Sequence, residues 1–210
     1  MRTDSRTWRQ LDKHVHLYVV VLTLALILFL LQILWANRKL GAIGYEVTFV
    51  TVDGTDFRIF EPRTPCFWTG WFSEKFNHPA VRYEICVSII NGDIVWINGP
   101  FPAGAFPDRT IFRRKLMMWL GLTEKVDADE GYDGEDMYIR RPSHLVEGSP
   151  EAIQHARARA RHETMNKRLK QFNILHQTYR HHLDDHGSVL RACAVTAQLG
   201  FKHGGMGLFE

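Results

Sequence analysis

Val126-Asp127-Ala128-Asp129-Glu130-Gly131-Tyr132-Asp133-Gly134-Glu135 is the stretch on which the reading of this fold turns. Five carboxylates crowd into it. Val126 and Ala128 alternate with polar positions as a strand does, until Gly131 and Gly134 break the pattern. It follows a helix-like run at residues 110–122. Carboxylates gathered where a strand ends suit a hard divalent cation, because Mg²⁺ prefers oxygen ligands and keeps open water positions. An acidic surface turn has the same composition. The choice between the two depends on whether distant parts of the chain bring further ligands to this strand.

Outward from that stretch, the chain alternates strands with helices. Residues 45–52 are β-branched and alternating, which predicts a strand ending on Asp53-Gly54-Thr55-Asp56, and residues 57–60 predict a second, short one. Residues 61–79, rich in Pro, Gly and aromatics, predict a loop. Residues 81–90 and 93–98 predict a hairpin closed by Asn91-Gly92, the preferred two-residue turn. A Gly/Pro loop follows, and Asp108 is expected to cap a helix reaching about residue 120. Beyond the acidic strand, Ser149-Pro150-Glu151 opens a long helix to about residue 175, with Ser at the cap and Pro in the first helical position. A last apolar helix is expected over 189–201. This order predicts an α/β fold, with antiparallel pairing early and a parallel strand after the crossover helix.

Length and composition bound the function loosely. At 210 residues with 45% hydrophobic and 23% charged, one domain of ordinary size is expected. A net charge of +3 permits nucleic-acid binding without arguing for it. Cys66, Cys86 and Cys193 are odd in number, far apart and without a C-x-x-C, which favours reduced, buried thiols over disulfides or a zinc site. Residues 1–16 form a polar, basic tail. Residues 17–35 carry no charge and have Tyr18 and Trp35 at their edges, about the length that a bilayer demands. They predict a transmembrane helix over 17–36, ahead of a domain at 37–210. A buried core helix and non-native translated sequence are the other readings of the run.

Distant residues can complete the acidic strand. Asp53 ends the first strand and Asp129 ends the strand after the crossover, and a right-handed crossover places two such strands side by side. A third ligand is sought on the long helix. At about 100° per residue, Met165, Leu169 and Phe172 share a stripe expected to face the core, and Glu163 lies opposite, in line with Arg159, Lys167 and Lys170. One reading is a solvated, salt-bridged face. The other is a metal-binding glutamate flanked by cations that grip phosphates. Asp56, Asp127 and Asp133 are alternative aspartates, and Asp108 is expected to cap a helix. His181, His182 and His186 read as loop or DNA-facing polar residues, since no zinc spacing fits them. Trp68 and Trp71 read as core or loop anchors.

The ordered set resembles the catalytic domain of DDE-superfamily transposases and endonucleases, most of all the Harbinger-like group. The matching residues are Asp53-Gly-Thr after a hydrophobic strand, Gly104…Pro107-Asp108, Asp129-Glu-Gly-Tyr132, and Arg159-x3-Glu163-x6-Lys170. The last spacing is the R, E and K of a Y-R-E-K signature, whose Tyr would fall at Ala156, where this chain departs from it. The resemblance covers about residues 37–210. It implies an RNase H-like mixed sheet flanked by helices, and Asp53, Asp129 and Glu163 as metal-binding catalytic residues. It further implies Mg²⁺ or Mn²⁺ as cofactor, DNA as substrate, and Arg159, Lys167 and Lys170 as phosphate contacts. It also implies a nuclear location, which conflicts with a single-pass membrane segment at 17–35. Transposases of this group carry DNA-recognition elements before the first aspartate. Their absence here predicts a truncated transposon-derived reading frame, with recognition supplied by a separate protein. The contrasting expectation is a membrane-anchored protein with a non-catalytic RNase H-like domain.

Overall fold

The computed structural model describes residues 33–40, 48–62 and 69–202. The chain divides into two compact units, Met1–Gln32 and Ile33–Glu210, and the described residues all belong to the second. The basic tail, most of the apolar run, Cys66 and Trp68 therefore lie outside the described residues. Among the described residues no helix is long and apolar enough to cross a membrane.

The end of the apolar run belongs to the folded domain. Trp35–Lys39 is a 3-10 turn. The Trp35 ring meets Trp96 edge-on at 5.6 Å, and its Nε1 donates to the Trp119 carbonyl at 3.2 Å. Arg38 grips buried Glu124 at 2.5 and 2.8 Å. Residues 35 and 36, expected inside a spanning helix, are held in this turn by an aromatic contact and by an ion pair.

The sheet is mixed. β1 (Thr48–Arg58), β3 (His78–Ser88) and β4 (Ile94–Pro102) pair antiparallel, with β3 in the middle. β5 (Lys125–Asp127) runs parallel to β1 on its other side, and β6 (Ile139–Arg140) runs parallel to β5. The short β2 (Phe72–Ser73) adds to the start of β3. Four α-helices are described: α1 (Asp108–Arg114), α2 (Pro150–Leu169), α3 (Asn173–His176) and α4 (His186–Lys202).

Period-two alternation sorts the strand side chains onto two faces. Phe57, Val81, Tyr83, Ile85 and Val87 pack with Met165, Leu169 and Leu190 of α2 and α4. Val50, Val52, Cys86 and Trp96 pack with Phe112 of α1 and with Leu116 and Tyr132. A sheet buried on both faces explains why β3 shows no exposed apolar residue: Tyr83 and Ile85 are fully enclosed, at 0% exposure each. Cys86 and Cys193 are free and buried, as their spacing predicted.

Several boundaries differ from expectation. β1 runs unbroken through Asp53-Gly54-Thr55-Asp56, where a strand end was expected. Gly54 keeps strand pairing opposite Glu84 and does not turn the chain. The helix expected to reach residue 120 stops at Arg114, and Leu116–Trp119 continues as 3-10. α2 stops at Leu169, so Phe172 lies beyond it. The capping prediction for α2 holds: the Ser149 hydroxyl accepts from the Ala152 N–H at 3.1 Å.

β6 is tied to β5 by a buried ion pair. Asp127, with 0% side-chain exposure, receives Arg140 Nε at 2.6 Å and Nη2 at 2.9 Å. Removing one partner of such a pair leaves a buried charge uncompensated. Arg140→Ala is expected to lower unfolding free energy by about 3 kcal/mol, measured by urea denaturation. A loss well under about 1 kcal/mol would show that Asp127 is rehydrated rather than stranded.

Candidate active site

β1 and β5 lie side by side in parallel, with Thr51 opposite Asp127. Two residues further along each strand path, on the same pleat face, stand Asp53 and Asp129. Glu163 of α2 reaches the same place. Asp53, Asp129 and Glu163, with Thr51, Arg159 and His162, line one cavity of about 20 Å³. That volume admits about one water-sized particle.

Each aspartate is held by a neighbour. Asp53 Oδ2 accepts from the Asn166 amide at 3.1 Å, and Asn166 Oδ1 accepts from the Thr55 hydroxyl at 3.0 Å. Asp129 caps the 3-10 turn Glu130–Tyr132, its Oδ1 accepting from the Gly131 N–H at 2.9 Å. Burial pushes the Asp53 carboxyl up to about 6, reinforced by the negative charges of Asp108 and Asp129 and opposed by Lys75.

α2 explains the spacing of the sequence motif. Its buried stripe is His155, Ala158, His162, Met165 and Leu169. That stripe is rotated from the expected Met165-Leu169-Phe172 line. Arg159, Glu163, Asn166 and Lys170 recur at intervals of four, three and four along the flank of that stripe. The R-x3-E-x6-K spacing is therefore one line down a helix flank, and Asn166 falls between its last two members. Glu163 is exposed on the side away from the buried stripe, as expected, and still lines the cavity that holds Asp53 and Asp129. Lys167 is exposed and off this line.

The alternative aspartates are occupied elsewhere. Asp56, 1% exposed, is clamped by Arg82 at 2.7 and 3.0 Å and by Ser73 at 2.7 Å. Asp127 is committed to Arg140. Asp133 pairs at the surface with Arg141 at 2.8 Å.

Sequence reasoning misassigned two residues here and overlooked a third. Asp108 does not cap α1: Pro107 holds the cap position, and no side-chain cap bond forms. Asp108 Oδ1 instead sits over Gly54, where a Cβ would come within 1.8 Å of it. It lies 3.4 Å from Arg82 Nη1. The available signal was a glycine inside a strand pattern, which marks a close approach. His186 is no loop residue. It is buried, stacked on Tyr83 at 5.4 Å, with Nδ1 and the Tyr83 hydroxyl 2.9 Å apart. His162 was not singled out. It is 3% exposed with its Nδ1 2.5 Å from the Thr51 hydroxyl. Burial and the nearby Arg159 push it down to about 3, so the ring is neutral. Trp71 packs against the core, as an anchor residue should.

The donor chemistry suits a hard divalent cation: carboxylate oxygens face one small cavity, and their mutual repulsion is what a cation would relieve. Among the described residues no three side chains of His, Cys, Asp or Glu are gathered tightly enough to hold a metal ion as they stand. Two aspartates supply the fitting donors, with Glu163 on the same wall.

The pH dependence of stability follows from the Asp53 shift. Its folded value, about 6, lies above the ordinary 3.8, so the fold favours the protonated form. In metal-free buffer that preference is fully present below about pH 4 and is lost as pH rises through about 6. Asp53→Asn is expected to stabilise the protein at pH 7.5 by up to about 3 kcal/mol, with the gain disappearing by pH 4. Thermal melts across pH 4–8 measure this, and a gain independent of pH would contradict it.

No curated protein and no solved structure matches the chain. The family model described as DDE superfamily endonuclease matches residues 52–197, a span that includes Asp53, Asp108, Asp129, Glu163 and Lys170. The match covers more than half of the chain, and the chain belongs to the DDE superfamily endonuclease family.

Proposed function

We propose that this domain is a divalent-metal-dependent DNA nuclease of the transposase kind, built on an RNase H-like sheet, with Asp53, Asp129 and Glu163 as its catalytic acids. The observation that carries the reading is the shared cavity: residues 53, 129 and 163, far apart in sequence, line the same small space. The strand order β4-β3-β1-β5-β6, antiparallel then parallel, supports the RNase H-like assignment. Family membership supplies the nuclease class, and endonucleases of this kind generally use divalent metals.

Asp53 and Asp129 would hold Mg²⁺ or Mn²⁺, with Glu163 closing the set. A two-ion site supplies an activated water or 3′-hydroxyl nucleophile and a counter-charge for the leaving oxygen. The chain's own residues orient and bind. Asn166 keeps the Asp53 carboxylate turned toward α2. The Gly131 N–H holds the Asp129 carboxylate over the start of its own 3-10 turn. Arg159 lines the cavity beside Glu163, within reach of a phosphate oxygen bound there. Neutral His162, buried behind it, adds no charge to the wall and braces α2 against Thr51.

Supercoiled DNA incubated with the full chain in Mg²⁺ or Mn²⁺ is expected to be nicked, and Asp129→Asn to lower the rate at least about 100-fold. Equal nicking by the variant would overturn the assignment. Cation binding is readable without cleavage. At about 100 times its Kd, Mg²⁺ should add about 2.7 kcal/mol of stability to the wild type, and that gain should be absent in Asp129→Asn.

A further inference from the structure

Beside the acidic cavity, two cations from separate elements share one ring, and a third stands on the residue next to it. Arg58, in the last position of β1, places its guanidinium 4.6 Å from the centroid of Phe76. Lys170, at the C-cap of α2, places its ammonium 5.4 Å from the same centroid. The two charges are therefore within about 10 Å of each other. Lys75 stands exposed next to Phe76 in the β2–β3 turn. Among the described residues none of the three is in an ion pair, although Arg82, Arg140 and Arg141 each have carboxylate partners.

The cluster is electrostatically costly as it stands. Burial, then the positive charge of Lys75, push the Lys170 ammonium down; the negative charges of Asp56 and Asp53 oppose this, and Arg58 adds a smaller downward push. Like charges held together across three elements need a polyanion to neutralise them. Phe76 does not compete for a base, because its ring already holds two cations. The ligand recognised is therefore the backbone. One DNA strand carries a charge about every 3.4 Å of helix axis, so a cluster of this width spans one to three consecutive phosphates.

We infer that Arg58, Lys75 and Lys170 form a phosphate clamp that holds the DNA strand flanking the scissile position, with Phe76 as the spacer that fixes two of the cations. This rests on the nuclease reading above and deepens it. Of these three cations the sequence motif pointed only to Lys170; Arg58 and Lys75 come from elements that no motif joins. Lys75 also acts electrostatically on Asp53 and Asp108, which places the clamp within Coulomb range of the acidic cavity. The strand would thus pass from the clamp to the acids across the end of α2, with Lys170 and Glu163 under two helical turns apart.

The test uses the full chain and a fluorescein-labelled 25-mer duplex in buffer without divalent cations, where binding is read by anisotropy from 50 to 200 mM KCl. Lys75→Ala and Lys170→Ala are each expected to weaken binding by about 3- to 10-fold at 50 mM and to reduce the log–log salt slope by about 0.9. Arg157→Ala, which removes an exposed cation more than three turns along α2, should change neither. Lys75 sits in an exposed turn, so its replacement reports on the clamp even if the half-buried Arg58 proves necessary for folding. Wild-type affinity and slope in both Lys75→Ala and Lys170→Ala would overturn the clamp. If Mg²⁺-dependent nicking by the wild type persists in that case, the clamp alone fails and the nuclease reading stands. If the wild type neither binds nor nicks DNA, both fail.

Discussion

The parallel register of β1 against β5 is the constraint on which the rest depends. Thr51 pairs with Asp127, and because side chains alternate with period two, Asp53 and Asp129 come out on one face at the same level. A slip of one residue would send one of the two acids to the opposite face of the sheet. The register is secured from several sides. Val50 and Val126 are fully buried in the same core. Thr51 is tied to His162 of α2, and Asp127 to Arg140 of β6. Each of these bonds lies two positions before one of the two proposed catalytic acids, so the framework is braced immediately beneath the place where the chemistry is proposed.

Acidic charge is concentrated here at a cost to the fold, and its management explains several otherwise odd features. Glu84 is 1% exposed, accepts from Trp96 Nε1 at 2.8 Å, and is raised to about 7, chiefly by burial. Burial also raises Asp108, against the pull of Arg82. Arg82 is the common counter-charge: it grips Asp56 bidentately and approaches Asp108. Glycine at position 54 is what lets Asp108 come so close to β1. The α1 face of the sheet thus stores a second set of acids behind the Asp53 face, partly neutralised by one arginine. The charge of one of them, Asp108, reaches through the strand to Asp53, and such a field favours a cation over any neutral occupant.

What the sequence discloses is uneven, for physical reasons. The hairpin of β3 and β4 is legible because alternation and β-branching act locally, but its turn is longer than the expected two residues: β3 ends at Ser88, β4 starts at Ile94, and of Asn91 and Gly92 only Gly92 takes a positive φ, 78°. The cap of α2 is legible for the same reason. Asp53-Gly54-Thr55-Asp56 reads as a turn because its polar residues and glycine are what turns use. The strand continues there because Asp56 finds Arg82 and Ser73, and Gly54 finds Asp108, all distant in sequence. β6 is two residues long and exists only by pairing with β5. The triad positions came from a motif resemblance, and no local pattern announces them. His162 has no local signature either; only the rotation of the buried stripe on α2 reveals it.

α2 links the acidic cavity to the cations at its own C-terminal end. An amphipathic helix ordinarily divides into a buried face and a solvated face, and the composition of residues 157–170 suggests just that. Here the residues proposed to function follow one line near the boundary between the two faces: Arg159, Asn166 and Lys170 are half-buried on it, and Glu163 is exposed beside it. A residue on that boundary is packed on one side, which fixes its rotamer, and open on the other, which admits a ligand. The interior of the stripe is too enclosed for a charged ligand, as the neutral His162 shows. The outer face, where Lys167 lies, is too mobile in its side chains to preorganise one. The helix-period spacing of the motif is thus a consequence of where on a helix a charged group can be both held and reached.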